Sequence, residues 1–242
     1  MLNRIIAAGK KISSLFISRT PKTTPSDHTF TPGSWSNSET VRTKYGLLEG
    51  FTDKGTWCWK GIPYAAPPVG SLRWKAPHDP VSWVGTRSAD KFGSSAAQAL
   101  PVIGMRGSED CLYLNIWRPK SAETGLPVYL YIHGGGNSIG TAGMRDYSGS
   151  TTAKKSNMLY VSLNYRLGVL GWFRHPAVTG SGTPEDRSGN FATLDLMKAL
   201  AWVRDSISAF GGDPGNVTIA GESAGAMNVF SLLIAPGAKG LF

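Results

Sequence analysis

The stretch VTIAGESAGAMNVF, Val217 to Phe230, sets a β-branched run against a run of helix formers, with one serine between two glycines at the join. Gly221-Glu222-Ser223-Ala224-Gly225 matches G-x-S-x-G, and its flanks are what give the match weight. A nucleophile elbow needs a strand, then a turn so sharp that only glycine-sized neighbours fit, then a helix whose N-terminus favours developing negative charge. The pattern predicts the strand VTIAG, a tight bend carrying Ser223, and the helix AGAMNVFSLLIA.

Upstream, GNFATLDLMKALAWVRDSISAFGG places Leu196, Leu200, Val203, Ile207 and Phe210 at alternating spacings of four and three, the apolar face of a helix that Gly211 and Gly212 then stop. DPGN between them reads as a turn. Earlier still, CLYLNIW (Cys111–Trp117), PVYLYIHGGG (Pro127–Gly136) and MLYVSLNYRLG (Met158–Gly168) read as buried strands. VRTKYGLLEGF and TWCWKGIPYA read as an antiparallel pair. Strand, helix, strand, helix in this order implies an α/β fold with a mostly parallel central sheet, preceded by a small antiparallel region.

The second chemical signal is HGGGN, His133 to Asn137. A strand ending in consecutive glycines presents backbone N–H groups that no side chain obstructs. With the N–H of the residue after a nucleophile, such amides form an oxyanion hole. The donors expected here are Gly135, Gly136 and Ala224.

Composition narrows the classes. The 242 residues are 41% hydrophobic and 17% charged, a globular balance with a sizeable core. The net charge of +9 is concentrated at the N-terminus, where Arg4, Lys10, Lys11, Arg19 and Lys22 precede the first acid, Asp27. No basic stripe or RNA-type aromatic motif follows, so nucleic acid is not an expected partner. The tail MLNRIIAAGKKISSLFISRT interleaves apolar and basic residues; Lys10 and Lys11 break any secretory core, leaving a weak amphipathic membrane-surface helix, an organelle-type presequence or a segment without a role. Residues 1–40 read as this tail plus a Thr/Ser/Pro-rich linker, and residues 41–242 as the folded domain. Cys58 and Cys111 are too few for a disulfide framework, and the four histidines have no metal-ligand spacing. No metal or cofactor is expected, since a triad with an oxyanion hole completes acyl transfer unaided.

GIPYAAPPVGSLRWKAP, SEDCLYLNIWRP, HGGG, NYRLGVLGW and FGGDPGNVTIAGESAGA, in this order, resemble the type-B carboxylesterases, the cholinesterase-like family. The resemblance implies the N-terminal portion of an α/β-hydrolase fold acting on small-molecule carboxylic esters, with Ser223 as nucleophile. It also implies ion pairs joining Arg73 to Glu109 and Arg166 to Asp195, an orienting role for His133 in the glycine loop, and a supporting role for Glu222. Two departures stand out. The cysteine that often bridges to the EDCLYLN cysteine is replaced in FGSSAAQ by alanine, which favours a reducing, cytoplasmic setting over a secreted one. Asn137 stands where relatives usually carry an aromatic or other apolar residue.

The triad of this fold runs Ser, then Asp or Glu, then His. The 19 residues after Ser223 contain neither an acid nor a histidine. The expectation is therefore an incomplete esterase, feeble by itself, with a non-catalytic cholinesterase-like binding module or an inactive split product as the alternatives. The strand VTIAG is expected to form an uncovered, aggregation-prone edge.

Overall fold

A computed structural model describes residues 33–242. The basic tail, most of the linker and His28 lie outside the described residues.

The chain first forms β1 (Thr40–Thr43) and β2 (Gly46–Glu49), paired antiparallel, then β3 (Phe51–Asp53) and β4 (Thr56–Pro63). VRTKYGLLEGF thus folds largely on itself, and only its Phe51 end pairs with TWCWKGIPYA. Turn chemistry decides this. Lys54 and Gly55 both take positive φ, 48° and 80°, which suits a two-residue hairpin between β3 and β4. Next come β5 (Thr86–Ser88), beside β2, and the hairpin β6 (Gln98–Leu100) with β7 (Gly104–Arg106).

The main sheet is completed by β8 (Tyr113–Pro119), β9 (Leu126–Ile132), β10 (Leu159–Leu163) and β11 (Gly212–Gly221), in the order β11-β9-β10-β8-β4-β3. It is mixed. β11, β9 and β10 are parallel, whereas β8, β4 and β3 join through antiparallel pairings. The parallel block is the part linked by helical crossovers: α1 (Ser150–Ser156) lies between β9 and β10. Then α2 (Gly168–Gly171), α3 (Pro176–Thr179) and α4 (Phe191–Ser206) lie between β10 and β11, and α5 (Ala224–Ile234) follows. DPGN does not stand apart as a turn. It is absorbed into β11 as a register irregularity between Gly212 and Val217, where the Gly215 amide donates to Asp213 Oδ1 at 2.8 Å.

All five residues of β10 are buried, as befits a central strand. Leu196, Leu200, Val203, Ile207 and Phe210 bury the predicted face against one side of the sheet. On the other side Cys58, Trp117, Ala153 and Tyr160 pack under α1. Trp35, within the segment read as linker, is buried. Its ring meets Trp57 at 5.0 Å and lies under the Arg118 guanidinium at 3.8 Å. Ordered packing therefore starts ahead of residue 41. Both cysteines are buried and free.

Candidate active site

β11 ends at Gly221 and α5 starts at Ala224, leaving two residues to reverse the chain. Ser223 absorbs the turn with φ 53° and ψ −121°, a conformation that L-residues avoid and that clusters at functional positions. The flanking glycines are sterically required. A Cβ at Gly221 would sit 2.4 Å from the carbonyl carbon of Gly225, and one at Gly225 would sit 2.1 Å from the carbonyl oxygen of Ile132. Ser223 is exposed on this bend, and so is Glu222.

The glycine loop meets the bend directly. A Cβ at Gly134 would fall 2.6 Å from Glu222 Oε2 and 3.1 Å from the Ser223 Cβ. Sequence reasoning picked out Gly135 and Gly136 and passed over Gly134, the glycine that lets the loop touch the elbow. Gly135, Gly136 and Asn137 then take successive positive φ values of 103°, 61° and 56°. The Gly135 carbonyl turns inward to accept from the Ser138 and Ile139 amides at 3.1 and 3.0 Å. Among the described residues, the amides of Gly135, Gly136 and Ala224 donate to no protein group.

His133 lies beneath this loop, 2% exposed. Its Nδ1 stands 2.8 Å from the Gly134 carbonyl, which can only accept, so Nδ1 carries the proton. Its ring stacks on Tyr165 at 4.6 Å, and the Tyr165 hydroxyl donates to the His133 carbonyl at 2.7 Å. Burial lowers the His133 pKa, against a smaller opposing effect from the Gly134 hydrogen bond, and keeps the ring neutral. Of the other described histidines, His78 is exposed and His175 caps α3, accepting from the Ala177 amide at 3.2 Å.

The structure places Arg73 beside Glu109, with Nε donating at 2.6 Å and Nη2 at 2.5 Å, in a half-exposed setting. Arg166 and Asp195 meet in the interior at 2.8 and 2.7 Å, and the Arg166 backbone amide adds a third bond to the carboxylate at 3.1 Å. Burial opposes the Arg166 charge, but Asp195 outweighs it and raises the Arg166 pKa. This pair fixes the chain leaving β10 to α4.

An open concavity of about 390 Å³ flanks the glycine loop, lined by Gly136, Asn137, Ser138, Gly168, Val169 and Trp172. Trp172 is the aromatic at this opening; Phe173 packs at a tilt against Trp74, ring centroids 5.2 Å apart, and Tyr147 against Tyr131 at 5.0 Å. Among the described residues, no group of three or more His, Cys, Asp or Glu side chains is arranged to hold a metal ion, and no helix is long and apolar enough to cross a membrane.

A strained serine between crowded glycines, touched by a glycine loop with free amides, is the local geometry of serine ester hydrolases, and the carboxylesterase family model matches residues 37–242. The chain belongs to the carboxylesterase family. It is similar to the para-nitrobenzyl esterase of Bacillus subtilis, 46% identical over 208 residues, which cover 84% of this chain and 42% of that relative. It is also similar to the fumonisin B1 esterase of Sphingopyxis macrogoltabida, 42% identical over 213 residues, covering 83% of this chain and 37% of the relative. Among solved structures, a PNB esterase superposes with a TM-score of 0.77 at 45% identity, covering 84% of this chain and 42% of that one. A carboxylesterase from Geobacillus stearothermophilus gives 0.78 at 43% identity with the same coverage. The fold is that of part of an α/β-hydrolase, and this carboxylesterase chain spans about two fifths of the length of these relatives.

Proposed function

We propose that this chain supplies the nucleophile and the oxyanion hole of a serine carboxylesterase. Ser223 Oγ attacks the ester carbonyl carbon, and the amides of Gly135, Gly136 and Ala224 receive the charge that develops on the carbonyl oxygen. Collapse expels the alcohol and leaves an acyl group on Ser223, which water then removes. Each oxyanion donor is worth roughly 10²–10³ in rate in such sites. His133 and Glu222 support the loop and the bend, and the two ion pairs hold the scaffold. The observation that carries this reading is the contact of Gly134 with the Ser223 turn, which sets two segments far apart in sequence against one another.

The proton of Ser223 must pass to a base. His133 is buried, stacked and bonded at Nδ1, which supports an orienting role. No acid or histidine follows Ser223. The proposal therefore assigns the base and its acid partner to residues outside this sequence, and turnover of the 242-residue chain is expected to be feeble. Loss of a triad histidine lowers turnover by about 10⁶, with a residue of roughly 10³–10⁴ over water from binding and the oxyanion hole.

The test is acylation by p-nitrophenyl esters, read as an acyl adduct on Ser223 by mass and as p-nitrophenolate release, in the chain and in Ser223→Ala. Slow acylation of Ser223 that Ser223→Ala abolishes is expected. An adduct absent from the wild-type chain, or equal in the two proteins, the outcome for a non-catalytic binding module, would sink the nucleophile assignment. A wild-type rate within about tenfold of a full-length relative, or about 1.4 kcal/mol in barrier, would show that a base is already present.

A further inference from the structure

Asn137 follows the two proposed donor glycines, and Asn228 lies one helical turn beyond the third donor, Ala224. Their side chains meet: Asn228 Nδ2 donates to Asn137 Oδ1 at 3.0 Å. We infer that Asn137 and Asn228 form a latch that sets the gap between the two halves of the oxyanion hole, and that both are positioning residues for ester hydrolysis. The inference rests on the reading of Ser223 and the glycine amides given above.

Each partner is held so that the latch has one geometry. Asn137 sits at φ 56°, the left-handed region that asparagine tolerates better than most side chains, and its carbonyl accepts from the Gly168 amide at 2.7 Å. Its backbone is therefore pinned to the start of α2 while its side chain reaches α5. Asn228 is 3% exposed on a helix face otherwise given to Ala224, Gly225 and Leu232. A buried carboxamide there is unfavourable unless bonded, so Asn137 Oδ1 and Asn228 Nδ2 satisfy each other. Tyr165 closes the network. Its hydroxyl, committed to the His133 carbonyl at 2.7 Å, passes within 3.4 Å of Asn137 Oδ1. The strand end before the glycines, the residue after them and the helix below the serine are thus tied through three side chains.

A displacement of about 1 Å between reacting groups lowers turnover by as much as 10²-fold. Geometry that matters only once the oxyanion forms should appear in kcat and leave KM alone. Asn228→Asp is nearly isosteric but its carboxylate cannot donate to Asn137 Oδ1, so it opens the latch with little change in volume.

The experiment has two arms. In the first, kcat and KM for p-nitrophenyl acetate and inhibition by a trifluoromethyl ketone are compared between wild type and Asn228→Asp. A drop of about 10- to 100-fold in kcat, KM within about twofold, and a matching weakening of the ketone are expected. Unchanged kcat, or a loss confined to KM, overturns the latch. In the second, hydrogen exchange is followed in the same two proteins at Ser138 and Ile139, whose amides donate to the Gly135 carbonyl, and at Gly168, whose amide donates to the Asn137 carbonyl, which requires no turnover. Faster exchange at these amides, with α4 unaffected, is expected; identical exchange overturns the latch whatever the role of Ser223. If no acyl adduct forms on Ser223 while exchange still responds to Asn228→Asp, the nucleophile reading fails and the tie between loop and helix remains.

Discussion

The two faces of α5 differ sharply in burial. On the inner face Ala224, Gly225, Asn228 and Leu232 are buried as α5 packs on β11, β9 and α4, and Gly225 lies so close to the end of β9 that it has no room for a methyl group. On the outer face Met227, Phe230, Leu233 and Ile234 are all more than 60% exposed. Both faces are rich in apolar residues, so hydrophobicity does not separate them. What separates them is contact. The inner face is complementary to a segment within this chain, and β11, beside it, is an edge strand of the main sheet. A helix that is apolar all round is normally buried all round. The lesson is that the machinery for attacking a carbonyl is assembled by these residues, while the surface next to it has the character of an unmatched core.

Predictions that break or sharpen this contrast run from the inner face outward. Gly225→Ala forces a methyl group into the Ile132 carbonyl, so unfolding should become easier by more than about 4 kcal/mol, among the largest single-substitution effects. Gly136→Ala, where a Cβ meets nothing within 4 Å, should lose only about 1–2 kcal/mol from its left-handed backbone. Chemical denaturation measures both, and equal losses would contradict the packing argument.

The same buried-versus-exposed contrast separates the two arginine–carboxylate pairs. Asp195→Asn strands the buried Arg166 charge and should cost about 3–5 kcal/mol of stability. Glu109→Gln, at the half-exposed Arg73, should leave the melting midpoint nearly unmoved, since screened surface pairs contribute little. A large loss at Glu109 with none at Asp195 would reverse the account. The smallest stability effect belongs to the outer face of α5. Phe230→Lys should leave the unfolding midpoint within about 0.5 kcal/mol of wild type while reducing self-association in light scattering. A steep loss of stability would show that the outer face is packed after all.

The elbow was legible in sequence because its determinants are local: a β-branched run, glycines at fixed offsets from a serine, and a helical run after it. The apolar face from Leu196 to Phe210 was legible for the same reason, a short period repeated. Asn228 and Tyr165 were not, because their roles depend on partners 91 and 32 residues away that no spacing announces. A polar residue among the apolar residues of AGAMNVFSLLIA was the available signal for Asn228. Gly134 was missed because its demand comes from the Ser223 bend and not from its own turn. The antiparallel pairing misassigned around VRTKYGLLEGF turned on two-residue loops, whose conformations the strand pattern does not specify.

The central claim is that Ser223 faces amides supplied by the glycine loop. A crystal structure of the chain after reaction with a p-nitrophenyl phosphonate tests it most directly. The account predicts a phosphorus bonded to Ser223 Oγ, with the phosphoryl oxygen about 2.7–3.1 Å from the amides of Gly135, Gly136 and Ala224. An adduct whose oxygen points to solvent, or a bend at Ser223 relaxed to ordinary coil with the loop turned away, would contradict it.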